Sequence, residues 1–187
     1  MNSRRDVRRF SRLLALGLLG AALSPLDLVW AQGAGQVTTT LTVKGSVEHE
    51  ITLTVDELKR LPVQRVDDVR SVRDTAGTAP SSETTRHYVG CLLRDVLERA
   101  KPVEKKRLDF RKSIVIATAS DGYRAVFSWA ELYLSPIGDG ALVVYERDGT
   151  PLADDEGKIA LVSLKDTRAG PRHVKWLQSI ELRTLTD

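Results

Sequence analysis

The sequence is poor in the residues that most directly announce a chemistry. Its 187 residues include one cysteine, Cys91, and three histidines. That excludes an internal disulfide framework and any zinc site built from several cysteines. Thirteen glycines and seven prolines are too few for a collagenous or low-complexity chain. There is no Gly-rich phosphate loop, heptad run or solenoid period, no nucleophile–base pattern and no paired carboxylates in a recognisable cleft motif. Aromatic residues make up 5% of the chain, so each of the three tryptophans is worth locating. What remains is 42% hydrophobic and 28% charged, the composition of a folded domain rather than a disordered chain. The length suits one compact domain of about 100–200 residues.

The net charge of +3 and pI near 9.1 come from the N-terminus. Arg4, Arg5, Arg8, Arg9 and Arg12 stand there against Asp6 and Asp27, and the remainder is balanced. A neutral remainder carries no electrostatic footprint for nucleic acid. The leading segment has the parts of a secretory signal: a basic start, an apolar stretch from Leu13 to Leu26, and Val29-Trp30-Ala31 before Gln32, with small or apolar residues where the signal peptidase cuts. The stretch is shorter than the ~20 residues of a membrane span. The expectation is residues 1–31 as a signal peptide cleaved after Ala31, and a periplasmic, soluble mature chain; an uncleaved N-terminal anchor is the rival. Ser3-Arg4-Arg5-Asp6-Val7 resembles the start of a twin-arginine signal, although Arg8 replaces an apolar residue, so twin-arginine and general secretory export both stay open.

Residues 32–36 read as a short mobile leader, and 37–187 as a single domain. Val37 to Val43 and Ile51 to Leu53 alternate apolar and polar residues, the pattern of half-buried strands. Thr54 and Glu57 form a capping box opening a short helix that Pro62 ends, and Ser128 with Glu131 forms another. Residues 63–72 are a candidate strand interrupted by Asp67 and Asp68, and 73–85 a polar loop. Leu92, Leu93, Val96, Leu97 and Ala100 fall on one helical face. Ile114 to Ala117, Tyr123 to Phe127, Ala141 to Tyr145 and Ile159 to Leu164 read as strands, with turns at Asp121-Gly122 and Asp148-Gly149. Glu104 to Lys112 reads as a solvated, charged connector. Short strands and helices without regular βαβ spacing predict an α+β fold with a mixed sheet.

The ordered elements Gly45, Leu61-Pro62, Tyr88-Val89-Gly90-Cys91-Leu92-Leu93-Arg94-Asp95-Val96-Leu97, Ser120-Asp121-Gly122-Tyr123, Ala141 to Tyr145 with Asp148-Gly149-Thr150-Pro151-Leu152, and Val174-Lys175-Trp176-Leu177 together resemble the molybdopterin-binding domain of the sulfite oxidase family. The resemblance runs from about Val43 to Leu182. It implies a pterin cofactor whose molybdenum is held by a cysteine in the segment before the aromatic–Gly step, here Val66 to Arg86. That segment contains no cysteine. Cys91 follows the step, where relatives carry a small apolar residue, and reads as a buried hydrophobe. Relatives that hold molybdopterin also present an Asn and an Arg where this chain has Glu156 and Ala160. An acid there repels a phosphate, and losing the Arg removes bidentate recognition.

The resemblance therefore implies a small exported pterin-binding protein without a metal-ligating cysteine, non-catalytic and acting as a ligand sensor for the periplasmic domain of a membrane-bound cyclic di-GMP enzyme. The alternatives are a molybdopterin-dependent oxidoreductase with altered ligation, and a fold relic without ligand. The expected ligand is a non-molybdenum pterin, with molybdopterin possible and no metal ligand in the chain. The predicted site is the segment Arg168 to Trp176 with the loop before Tyr88. Lys175 lies in the matching Val-Lys element, Arg168, Arg172 and His173 are nearby donors, and Trp176 is a stacking surface. Tyr123 and Trp129 are secondary stacking candidates; Asp121 is an acceptor for an amidine edge, and His87 a further contact. Each also has an ordinary explanation: core aromatics, a hairpin-turn Asp, and solitary histidines that form no zinc spacing with Cys91.

Overall fold

The computed structural model describes residues 35–72, 82–168 and 170–186, and side chains outside 70–72 and 82–84. The expected signal segment, residues 32–34 of the leader and residues 73–81 of the polar loop lie outside the described residues. Among the described residues no helix is long and apolar enough to cross a membrane.

Among the described residues, ten strands and three short α-helices follow in the order β1 (Thr40–Gly45), β2 (Ile51–Thr54), α1 (Val55–Leu58), β3 (Val63–Val72), β4 (Ser82–Leu92), α2 (Leu93–Arg99), β5 (Ser113–Ala119), β6 (Arg124–Ser128), α3 (Trp129–Tyr133), β7 (Ala141–Arg147), β8 (Thr150–Pro151), β9 (Ala160–Ser163) and β10 (Leu177–Thr184). The strands divide between two sheets. One has the order β2-β1-β10-β5-β6; in the other, β3-β4-β7-β8, β9 also pairs with β7. The first is mixed, because β1 and β10 run parallel while its other pairs are antiparallel. The α+β class is as expected; the division into two sheets is a tertiary choice that strand patterning does not encode.

The main core fills the space between the sheets. Leu41, Val43, Val115, Ala117, Phe127, Ile180 and Leu182 come from the first sheet, Cys91, Val143, Tyr145 and Leu161 from the second, and Leu58, Leu93, Val96, Leu97 and Leu132 from the helices. The amphipathic face read from the sequence is thus the buried face of α2. Tyr88, Leu142, Val144, Ala160 and Val162 form a smaller cluster. Along β4, β7 and β9 its members alternate with the main-core residues Cys91, Val143 and Leu161, so it lies on the other face of the second sheet.

Both predicted capping boxes are present. Glu57 N donates to Thr54 Oγ1 at 3.3 Å and Thr54 N to Glu57 Oε2 at 2.8 Å; the pair at Ser128 and Glu131 measures 3.1 and 2.7 Å. Helix α1 stops at Leu58, shorter than the expected run to Leu61. Asp67 and Asp68 do not interrupt β3, since Asp67 pairs with His87 and Asp68 with Arg86 in an unbroken register with β4. As a hairpin strand, β3 can point charged side chains away from the core. Gly90 marks a register shift between β4 and β7. A Cβ there would lie 2.2 Å from the Val143 carbonyl oxygen, so the glycine of the aromatic–Gly step is required by close strand approach.

Candidate functional site

Four backbone bonds lay the segment before β10 alongside the approach to β9. Val174 N donates to Leu161 O at 2.8 Å, Leu161 N to Val174 O at 2.9 Å, Leu177 N to Ile159 O at 2.9 Å and Trp176 N to Glu156 O at 2.7 Å. This double track bridges the two sheets and sets a corner where Arg147, at the end of β7, meets Glu156, to which His173, Lys175 and the Trp176 amide are also joined.

Glu156 is the centre of that corner. Its carboxylate accepts from Arg147 Nη1 at 2.7 Å and from His173 Nε2 at 3.0 Å, and Lys175 Nζ stands 3.5 Å away. The side chain is only 6% exposed. Burial pushes its pKa up, but the hydrogen bond and charge of His173, the charge of Lys175 and the hydrogen bond from Arg147 outweigh burial and hold it at about 2. Lys175 also reaches the Asp155 carbonyl at 3.4 Å.

Trp176 sits in the left-handed region at φ +47°, a conformation a non-glycine residue holds only where its surroundings fix it. They do so here through its amide bond to Glu156, a 3.0 Å bond from Ser120 N to its carbonyl, and its indole Nε1 donating to Asp154 O at 2.8 Å. Gly157, at φ +80°, has no room for a Cβ, which would lie 2.8 Å from Trp176 Cα. The indole is half-buried, with the Gly35 backbone against its ring fusion and Lys175 Nζ 5.9 Å from its centroid. Gln36 O accepts from Ser120 Oγ at 2.7 Å, so this end of the expected leader lies across the corner.

Of the predicted residues, His173, Lys175 and Trp176 meet here, and Tyr123 joins the same segment through a 2.6 Å bond from its hydroxyl to Pro171 O. Arg172, expected as a donor near the ligand, has its guanidinium paired within the chain. Its Nε donates to Asp166 Oδ2 at 2.8 Å, its Nη2 binds the other oxygen of Asp166, and its Nη1 donates to Glu131 Oε1 at 3.0 Å. The guanidinium lies 4.3 Å over the Phe127 ring. Arg172 is thus a strut tying the segment to α3, through the same Glu131 that caps that helix. Arg168 is exposed and lines an open cavity of about 320 Å³ with Lys165, Thr167 and Pro171.

Asp121 accepts from Tyr123 N at 2.8 Å within its own turn, the local role a hairpin Asp ordinarily has. His87 lies on β4, its Nδ1 2.7 Å from Asp67 Oδ1 and its amide bonded to Asp148 at 2.8 Å. The bond and charge of Asp67 raise its pKa. Its link to the corner runs through Asp148, whose carboxylate is 3.9 Å from Arg147 Nε. Trp129 is stacked with Phe110 and Tyr133, at centroid distances of 4.0 and 3.9 Å, a packing role. Sequence reasoning missed Arg147; its one local signal is a cation closing an otherwise apolar strand immediately before the Asp148-Gly149 turn.

The donor set does not fit the molybdenum-bearing, phosphorylated cofactor that the resemblance implies. Cys91, the chain's one thiol, is fully buried in the core, its Sγ 3.8 Å from Val143 O, and burial pushes its pKa up to about 12. It offers neither thiolate nor access. At the corner, the nitrogen donors that suit a phosphate already hold Glu156. Among the described residues, no group of three or more His, Cys, Asp or Glu is placed to hold a metal ion.

Comparison with curated proteins finds no match. Among solved structures, the crystal structure of the sulfane dehydrogenase SoxCD from Paracoccus pantotrophus matches with a TM-score of 0.62 at 17% identity, over 82% of this chain and 41% of that chain. The likeness is one of fold, and this chain spans less than half the length of that relative. The sequence pattern of the oxidoreductase molybdopterin binding domain matches residues 32–186, the whole of the two-sheet domain. With that span and that fold, the chain belongs to the oxidoreductase molybdopterin-binding domain family.

Proposed function

We propose that this protein is an exported, non-catalytic pterin-binding module that holds a pterin without molybdenum at the corner of Glu156, His173, Lys175 and Trp176. The observation that carries the reading is the position of Cys91: the chain's single thiol is sealed between the sheets with its proton held on, while a family whose members bind pterins supplies the ligand class. A pterin has a flat face and a hydrogen-bonding edge. The Trp176 indole, the Lys175 ammonium and the backbone carbonyls of Asp154 and Asp155 complement both.

The signal-like N-terminus supports export to the periplasm, and the resemblance to small exported relatives supports a sensor role toward a membrane-bound cyclic di-GMP enzyme. Three measurements test the reading. Protein exported from molybdate-replete cells should contain far less than one molybdenum per chain, and unfolding should release a fluorescent pterin; one metal per chain would favour the oxidoreductase with altered ligation. Trp176→Ala, shown folded by circular dichroism, should weaken binding of a simple pterin roughly tenfold, the equivalent of ~1.4 kcal/mol. Unchanged affinity for both oxidised and reduced forms would move the site elsewhere.

A further inference from the structure

We propose that Glu156 is a built-in anion that fills an anion site of this chain, and that it limits the ligand to pterins without a phosphate. The inference rests on the pterin-binding reading for its ligand class and adds which members of that class are admitted.

Three nitrogen groups from two separate stretches, Arg147 from β7 and His173 and Lys175 from the segment before β10, converge on one point. Donors at 2.7 and 3.0 Å with a second cation at 3.5 Å are the geometry with which proteins hold phosphate oxygens. Here both oxygens belong to the chain. Glu156 is held in place by its own backbone: its amide bonds to Ala153 O at 3.0 Å and its carbonyl accepts from Trp176 N. These bonds fix the Glu156 backbone beside that of Trp176, and the carboxylate is held in turn by Arg147 and His173, so it leaves the site only by giving up both. A phosphate arriving there meets a buried negative charge and donors already engaged. A neutral pterin meets no such charge repulsion: Lys175, 39% exposed, keeps a third N–H beyond those directed at Glu156 and Asp155 O, the indole offers a stacking face, and the carbonyls of Asp154 and Asp155 can each accept a second bond.

The test separates phosphate from pterin. Inorganic phosphate is titrated calorimetrically into the wild-type chain, Glu156→Gln and Glu156→Ala. Wild type should show no saturable binding, whereas both variants should bind at least tenfold more tightly than wild type, and Glu156→Ala combined with Arg147→Ala should lose the gain. Should Glu156→Ala be unfolded in dilute buffer, added phosphate should restore its near-ultraviolet circular dichroism by supplying the missing anion. Phosphate affinity in both variants within twofold of wild type, or no rescue of an unfolded variant, overturns the proposal. A parallel titration of wild type with one pterin, with and without a phosphate ester, should favour the unesterified form at least tenfold. Equal affinity for the two forms also overturns the proposal, whereas binding of neither form overturns the pterin reading and leaves the phosphate result to stand by itself.

Discussion

At the scale of single residues, Glu156 dominates because its charge is nearly dry and matched. Its folded pKa of about 2 lies below the ordinary 4.5, so the unfolded chain takes up the proton first as pH falls. The stabilisation is fully present above about pH 4.5 and is lost as pH drops toward 2, by roughly 3 kcal/mol if the whole shift is expressed. Urea unfolding of wild type and Glu156→Gln at pH 6 and pH 3 should show the steeper loss in wild type; equal losses would mean that the ion pairs at this corner contribute nothing. Arg172 has a different role. Removing its guanidinium takes the cation away from Asp166 and leaves Glu131 with only its capping bonds from Ser128, at a site only 17% exposed on the arginine side. Arg172→Ala should therefore lower stability by about 2–4 kcal/mol, read as a fall in the denaturation midpoint. Any loss of ligand affinity in that variant should follow the loss of folded protein.

Among elements, the features legible in the sequence are those whose partners are close in the chain. Thr54 with Glu57 and Ser128 with Glu131 are three residues apart, so composition and spacing are the whole signal. The Asp148-Gly149 turn is equally local, both residues standing at positive φ. Arg172 shows the complementary case: Asp166 lies six residues before it, but Glu131 is 41 residues away and Phe127 further, so the full set of partners that hold its guanidinium is not visible in the local sequence. Lys175, His173 and Trp176 were found only as neighbours on one stretch; the Arg147 and Glu156 that complete their corner come into place through pairing between strands. Gly90 shows the same principle inside a motif. Its resemblance to the family is visible in one line of sequence, but its physical cause is a carbonyl on β7. Gly90→Ala should cost about 1–3 kcal/mol and reduce amide protection in β4 and β7 before it does so in β5 and β6, which hydrogen exchange can resolve strand by strand.

For the whole molecule, the last strand is a central one. β10 lies between β1 and β5 and carries Leu177, Ile180 and Leu182 into the shared core. Ending the chain after Trp176 should abolish cooperative thermal unfolding rather than merely lower its midpoint, because β1 and β5 would each lose a full ladder and the core one wall. A truncated chain that still melts in a single sharp transition would show that the second sheet and α2 suffice to fold.

The parallel pairing of β1 with β10 has a practical consequence. Thr42 stands beside Ser179 and Gly45 beside Leu182, so the backbone enters and leaves the first sheet at opposite poles, on the order of 20 Å apart for strands of this length. Gln36 and Trp176 share the entry pole, while Thr184 and Leu185 line a lysine-rich cavity of about 490 Å³ at the exit. An affinity tag or surface tether attached past Thr186 would leave the indole corner facing free solution. The same tether joined just ahead of Gly35 would crowd it, so sensor chips and pull-down baits should be coupled through the carboxyl end.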